Sequence, residues 1–182
     1  MRQMFPLHLF KASFGTPLFL RTTCHWLLLA SFCLAQVTQV SHAAPDIPVQ
    51  FVISSDFQFV HEALIEAIES EGLVISAVIP FGQMLERTAH DLNKPASPFV
   101  KVETIQFCSA RLAWMLVEED VTQAALCPLS ITLLTTLTEP GKVILTFRSL
   151  GQSTAGRIQA DKLLQKLVNR AKLESTQFSP PQ

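Results

Sequence analysis

"LSITLLTTLTEPGKVILTFRSL", residues 129–150, contains the reading on which the fold turns. Two runs rich in Ile, Leu, Val and Thr flank "TEPG" at 138–141, and a Pro-Gly pair between such runs is a turn signal. The stretch predicts an antiparallel hairpin and so places a sheet at the centre of the domain.

Upstream, "FVKVETIQF" at 99–107 predicts a further strand, whose C-terminal half is expected to run through the sheet interior. Ser109 can cap a helix over "ARLAWMLVEE", with Leu112, Met115 and Leu116 as its apolar stripe beside Trp114. That helix is expected to stop at Glu118, Glu119 and Asp120, because acidic groups oppose the negative end of a helix dipole.

Nearer the N-terminus, "VQFVIS" at 49–54 and "LVISAVIPF" at 73–81 predict strands. Between them Phe57, Val60, Leu64, Ala67 and Ile68 recur at helical spacing, with Ser55 and Gln58 as a capping box and Gly72 as the stop. "GQMLERTAHDLNK" from Gly82 predicts a short amphipathic helix ending near Asn93, and "KPASP" a loop.

At the other end, Ile158, Leu163, Leu164, Leu167 and Val168 predict an amphipathic helix over 155–173, with Arg157, Lys162, Lys166, Arg170 and Lys172 largely on the opposite face. "STQFSPPQ" predicts a flexible tail at 175–182. The order β α β α β α β β α belongs to an α+β domain with two layers, a mainly antiparallel sheet carrying helices on one face. One domain, residues 44–174, accommodates it.

The first 43 residues differ from the rest. They carry Arg2, Lys11 and Arg21, no acidic residue, and the apolar run "WLLLASFCLA" from Trp26 to Ala35. This is the form of a secretory signal peptide, with Ser41 and Ala43 at the small-residue positions of a cleavage site. A ten-residue helix covers about 15 Å against roughly 30 Å of hydrocarbon, so a membrane anchor fits poorly. A periplasmic or secreted protein, cleaved near Ala43 and without stable membrane insertion after processing, is the expectation. No lipoprotein-type triplet precedes Cys24 or Cys33.

Processing would leave 11 basic against 15 acidic residues, a mildly acidic domain. A nucleic-acid surface needs a basic stripe to displace counterions from phosphates, so that class is excluded. No GxSxG, P-loop or GxGxxG is present, and the common hydrolase and nucleotide mechanisms lack their residues.

Cys108 and Cys127 would then be the domain's cysteine pair, in a compartment that favours oxidation. Three readings stay open: a disulfide closing a 20-residue loop and stabilising by about 3 kcal/mol, two buried free thiols, or a redox or metal-ligating pair with Cys108 at a helix N-terminus. No CxxC or CxxCH occurs, so a thioredoxin mechanism and covalent haem lack support. His61 and His90 are low-ranking metal candidates, since zinc would need both to converge with a cysteine. Glu62, Glu66 and Glu69 line one side of a helix and read as a solvated face. Arg148, at the end of the last strand, is a possible anion contact. No cofactor is implied.

"MLERTAHDL" at 84–92, "QFCSARLAWML" at 106–116, "ALCPLSITLL" at 125–134 and "EPGKVILTFRSLG" at 139–151 resemble, in that order, the DUF302 family in its branch with paired FCS and CP segments. The resemblance implies a compact α+β fold found as homodimers, and no established activity. It also implies that Cys108 and Cys127 work together. "TLLTTL" departs from it, lacking an aromatic near Leu134 or Thr135; the chain contains no tyrosine. The function expected is an exported, non-catalytic module that binds a small ligand or a protein. The alternative is a periplasmic thiol-redox or metal-handling protein using the two cysteines.

Overall fold

The computed structural model describes residues 48–177. The expected signal segment, its cleavage site and the end of the expected tail lie outside the described residues. The elements are β1 (Val49–Ile53), α1 (Phe57–Ser70), β2 (Val74–Ile79), α2 (Phe81–Ala89), β3 (Phe99–Cys108), α3 (Ala110–Glu119), a 3-10 helix (Val121–Leu126), β4 (Leu129–Thr136), β5 (Val143–Phe147) and α4 (Ala155–Gln177). The order is the one expected, with the 3-10 helix added. The class is α+β: five strands in the order β1-β5-β4-β3-β2, every neighbouring pair antiparallel, with helices packed against the sheet.

β4 occupies the middle of the sheet and alternates buried and half-buried positions along its whole length, as a strand with one covered face must. Its register sets Ile131 opposite Ile105 and Leu129 opposite Phe107. These side chains meet Leu64 and Ile68 of α1 and Leu164, Leu167 and Val168 of α4 in one core. Each buried Leu, Ile or Val contributes about 1.5–3 kcal/mol. The Lys166–Glu71 pair on the surface contributes at most about 1 kcal/mol, so burial decides how the layers stack.

Local signals explain the boundaries. α1 ends in a Schellman arrangement: Gly72, at φ +70°, donates to the carbonyl of Glu69 at 2.9 Å and Leu73 donates to that of Ile68 at 3.3 Å. Its start differs from expectation. The cap is Asp56, whose carboxylate accepts from the Gln58 N–H at 2.7 Å, while the Ser55 hydroxyl donates to the Ser175 carbonyl. A carboxylate one residue further on is the stronger acceptor for the helix's free N–H groups. α2 stops at Ala89, four residues short of the expected end, and the chain turns through Asn93 at φ +51°. Asparagine tolerates that left-handed conformation better than most residues.

α4 runs on to Gln177, into the stretch expected as a flexible tail, and its Ser175 is buried. Its buried face is also rotated from the one expected. Ile158 and Leu163 are only half-buried, while Gly156, Ala160 and Ala171 face inward. Small residues on the buried face of a helix allow its neighbours to pack closely, and Gly156 abuts Leu116 and Glu119 of α3.

The acidic group that ends α3 serves the elements that follow. Asp120 caps the 3-10 helix, its carboxylate accepting from the Thr122 N–H and hydroxyl at 2.8 Å each. Glu119 accepts from the Gly156 N–H at 2.7 Å, at the positive end of α4. A Cβ at position 156 would come within 2.8 Å of the Glu119 carboxylate, which is why glycine stands there. The Thr154 and Gly156 hydrogen bonds hold the Glu119 carboxyl below its usual range, and the Thr122 bonds do the same for Asp120.

A depressed folded-state pKa contributes stability that is complete above the unfolded value and lost as pH falls through the folded one. Urea unfolding of the protein and of Glu119→Gln should therefore differ most at neutral pH and converge as pH falls below 4.5. A difference that is constant across that window would show that the Glu119 charge plays no part.

Candidate functional site

Period-two alternation in β3 sends Phe107 into the core and turns the next residue, Cys108, out of it. Cys127 closes the 3-10 helix, its N–H donating to the Ala124 carbonyl at 3.2 Å, and a cis peptide bond joins it to Pro128. Because Leu129 pairs with Phe107, the end of β3 and the approach to β4 lie side by side. The two cysteines therefore meet. Both are half-buried free thiols, with no bond joining them. Burial pushes the Cys127 thiol above its ordinary value, and the neighbouring Cys108 adds to the rise.

Beside the pair opens a groove of about 440 Å³. Its lining includes Leu126 and Pro128, the basic Arg148, and the hydroxyl-bearing Ser130, Thr132 and Thr146. Thr132 shares a hydrogen bond of 2.9 Å with Thr104, whereas Thr146 Oγ1 is buried without a partner. A buried hydroxyl left open beside a groove is a ready donor or acceptor for whatever enters. Arg148 directly follows β5 and lines this groove.

A polar network missing from the sequence reading fixes the groove's rim. Asp161 is buried in the otherwise apolar face of α4 and accepts from the Ser149 hydroxyl, the Leu150 N–H at 2.7 Å and the Gln152 amide at 3.1 Å. Arg157 donates to the Gln123 side chain at 2.7 Å and to the Leu150 carbonyl at 3.0 Å, and Gln123 in turn donates to the Leu116 carbonyl. Leu150, held from both sides, lines the groove. The signal was an acid at a core position of an amphipathic helix.

The histidines do not converge. His61, on α1, lies 3.4 Å from the Glu103 carboxylate and stacks on Phe57, while His90 is exposed beside Asp91 at 3.3 Å. Among the described residues no cluster of three or more His, Cys, Asp or Glu side chains could hold a metal ion. Glu62 and Glu66 border a separate cleft of about 330 Å³ between α1 and α4.

An antiparallel five-stranded sheet with helices packed against it and two free cysteines at one end defines an α+β domain. The family "Domain of unknown function DUF302" matches residues 49–173, and the chain belongs to it. A solved structure of similar fold is that of an uncharacterized conserved protein DUF302 from Bacillus stearothermophilus. It is 14% identical, with a TM-score of 0.55 over 68% of this chain and 97% of that one. Among curated proteins no match is found.

Thiolate, not thiol, is the nucleophile in alkylation. In the folded, reduced protein Cys127 should react with iodoacetamide more slowly near pH 7.5 than it does in urea, with the rate still climbing beyond pH 9.0. Peptide mass mapping of the labelled chain measures this; equal folded and unfolded rates would refute the shift.

Proposed function

We propose that this protein is an exported, non-catalytic DUF302 module that binds a small anionic ligand in the groove beside Cys127 and Pro128. The observation that carries the reading is Arg148 in one groove with three hydroxyl side chains, one of them unpartnered. A guanidinium supplies charge and a fixed fork of donors, and the hydroxyls add neutral donors without a second charge that would repel a carboxylate or phosphate. No side chain on the groove is a general base, so binding is favoured over turnover.

Export rests on the basic, then apolar, then small-residue order of the first 43 residues. Among the described residues no helix is long and apolar enough to cross a membrane. The family resemblance supports a homodimer. Protein recovered outside the cytoplasm should begin at Ala44 by N-terminal sequencing and have twice the chain mass by light scattering. An uncleaved N-terminus would refute processed export, and a monomer would refute the dimer.

A second reading, of a thiol-redox or metal-handling protein, is favoured by one observation: the β3–β4 register brings two free thiols near each other.

The ligand site is tested by calorimetry with inorganic phosphate, succinate and glutamate. Hydrogen bonds to a charged group contribute about 1.5–3 kcal/mol, so Arg148→Gln should weaken the tightest of these by at least about tenfold. Equal binding by the variant, or no binding of any anion, would remove the anion assignment.

A further inference from the structure

We propose that Cys108 and Cys127 form a two-coordinate site for a soft, univalent, closed-shell metal ion, of which the cuprous ion is the physiological example. The proposal rests on the second reading above, and names the class of ion that the thiol pair would take.

Three observations select that class. The strand register brings the end of β3 and the start of β4 together, so two free thiols lie near one another at one end of the sheet. The donors are thiols alone. Sulfur favours soft ions, whereas magnesium and calcium require six or more oxygen ligands. Finally, no third His, Cys, Asp or Glu joins them among the described residues. Structural zinc takes four such ligands, and catalytic zinc three with a water, so this pair is two short of a structural site. An ion content with two ligands fills its requirement here.

The surroundings suit such an ion. Phe107, next to Cys108, and Leu129, two residues after Cys127, are buried in the core, and half-buried Leu126 precedes Cys127. Apolar neighbours keep competing water away from the metal, while half-burial of both cysteines leaves a way in. On binding, two S–H bonds break, two metal–sulfur bonds form and two protons leave for solvent. No electron is transferred. Because two protons are released on binding, affinity should rise with pH.

The test uses the full chain with Cys24→Ser and Cys33→Ser, reduced and anaerobic, titrated with cuprous ion against bicinchoninate and separately with zinc(II). One cuprous ion per chain is expected. Cys108→Ser and Cys127→Ser, each checked by thermal unfolding, should each weaken it by more than about 100-fold, the upper end for losing a merely supporting contact. Zinc(II) binding as tight as copper, or copper binding that survives in both variants, would overturn the assignment. Thiol counting with a chromogenic disulfide reagent separates the levels of failure. Two reactive thiols without copper binding would end the metal proposal alone, and two unreactive thiols without copper would end the thiol-pair reading as well.

Discussion

The pairing of β3 with β4 is the constraint on which the rest depends. With Phe107 opposite Leu129 and Ile105 opposite Ile131, one face of the sheet's centre is uniformly apolar and receives α1 and α4. A slip of β4 by one residue would carry Leu129, Ile131 and Leu133 to the other face and bring Ser130 and Thr132 into the core. Burying two hydroxyls without partners costs about 2–6 kcal/mol beyond the lost apolar burial, which together rival the stability of an ordinary domain. The register that protects the core is also the one that sets Cys108 beside Cys127.

Polar ties then position what the core leaves free. The segment from Ser149 to Thr154 has few apolar side chains, and Asp161, Arg157 and Glu119 hold it by hydrogen bonds to its backbone and hydroxyls. Buried hydrogen bonds of this kind contribute about 0.5–1.5 kcal/mol each, and more where one partner is charged. They are too weak to determine the fold, but they are directional, as a groove rim requires. Burial gives this protein its layers, and hydrogen bonding gives the groove its shape.

The order of elements was legible because each carries a local signal: the Pro-Gly turn before Val143, the glycine after α1, and Ser109 before α3, whose hydroxyl does accept from the Leu112 N–H. The 3-10 helix carried none, since six residues are too few to establish a period. The start of α1 was ambiguous because Ser55 and Asp56 are both good caps. Glu119 and Asp120 were read as opposing the helix they end, because their real partners, Gly156 and Thr122, belong to other elements. The cysteines follow the same logic. Sequence places each at a strand end, but the fact that β3 and β4 are neighbours is long-range information. Arg148 could be marked as basic at a strand end, yet the hydroxyls beside it come from two strands. The groove is a property of their pairing.

That distinction bears on what the thiols are for. A disulfide across the 20 residues from 108 to 127 would act mainly by restricting the unfolded chain, for about 3 kcal/mol. In this fold the enclosed segment is already secured at several points. Leu112 and Leu116 anchor α3 in the core, Asp120 caps the 3-10 helix, and Gln123 ties that helix to the Leu116 carbonyl and to Arg157. Two core leucines alone supply about 3–6 kcal/mol, at least as much as the crosslink would add. A purely structural pair would also be expected within the core, where free cysteine packs as a small apolar side chain. Cys108 instead turns out of the core and stays half-buried at the end of β3.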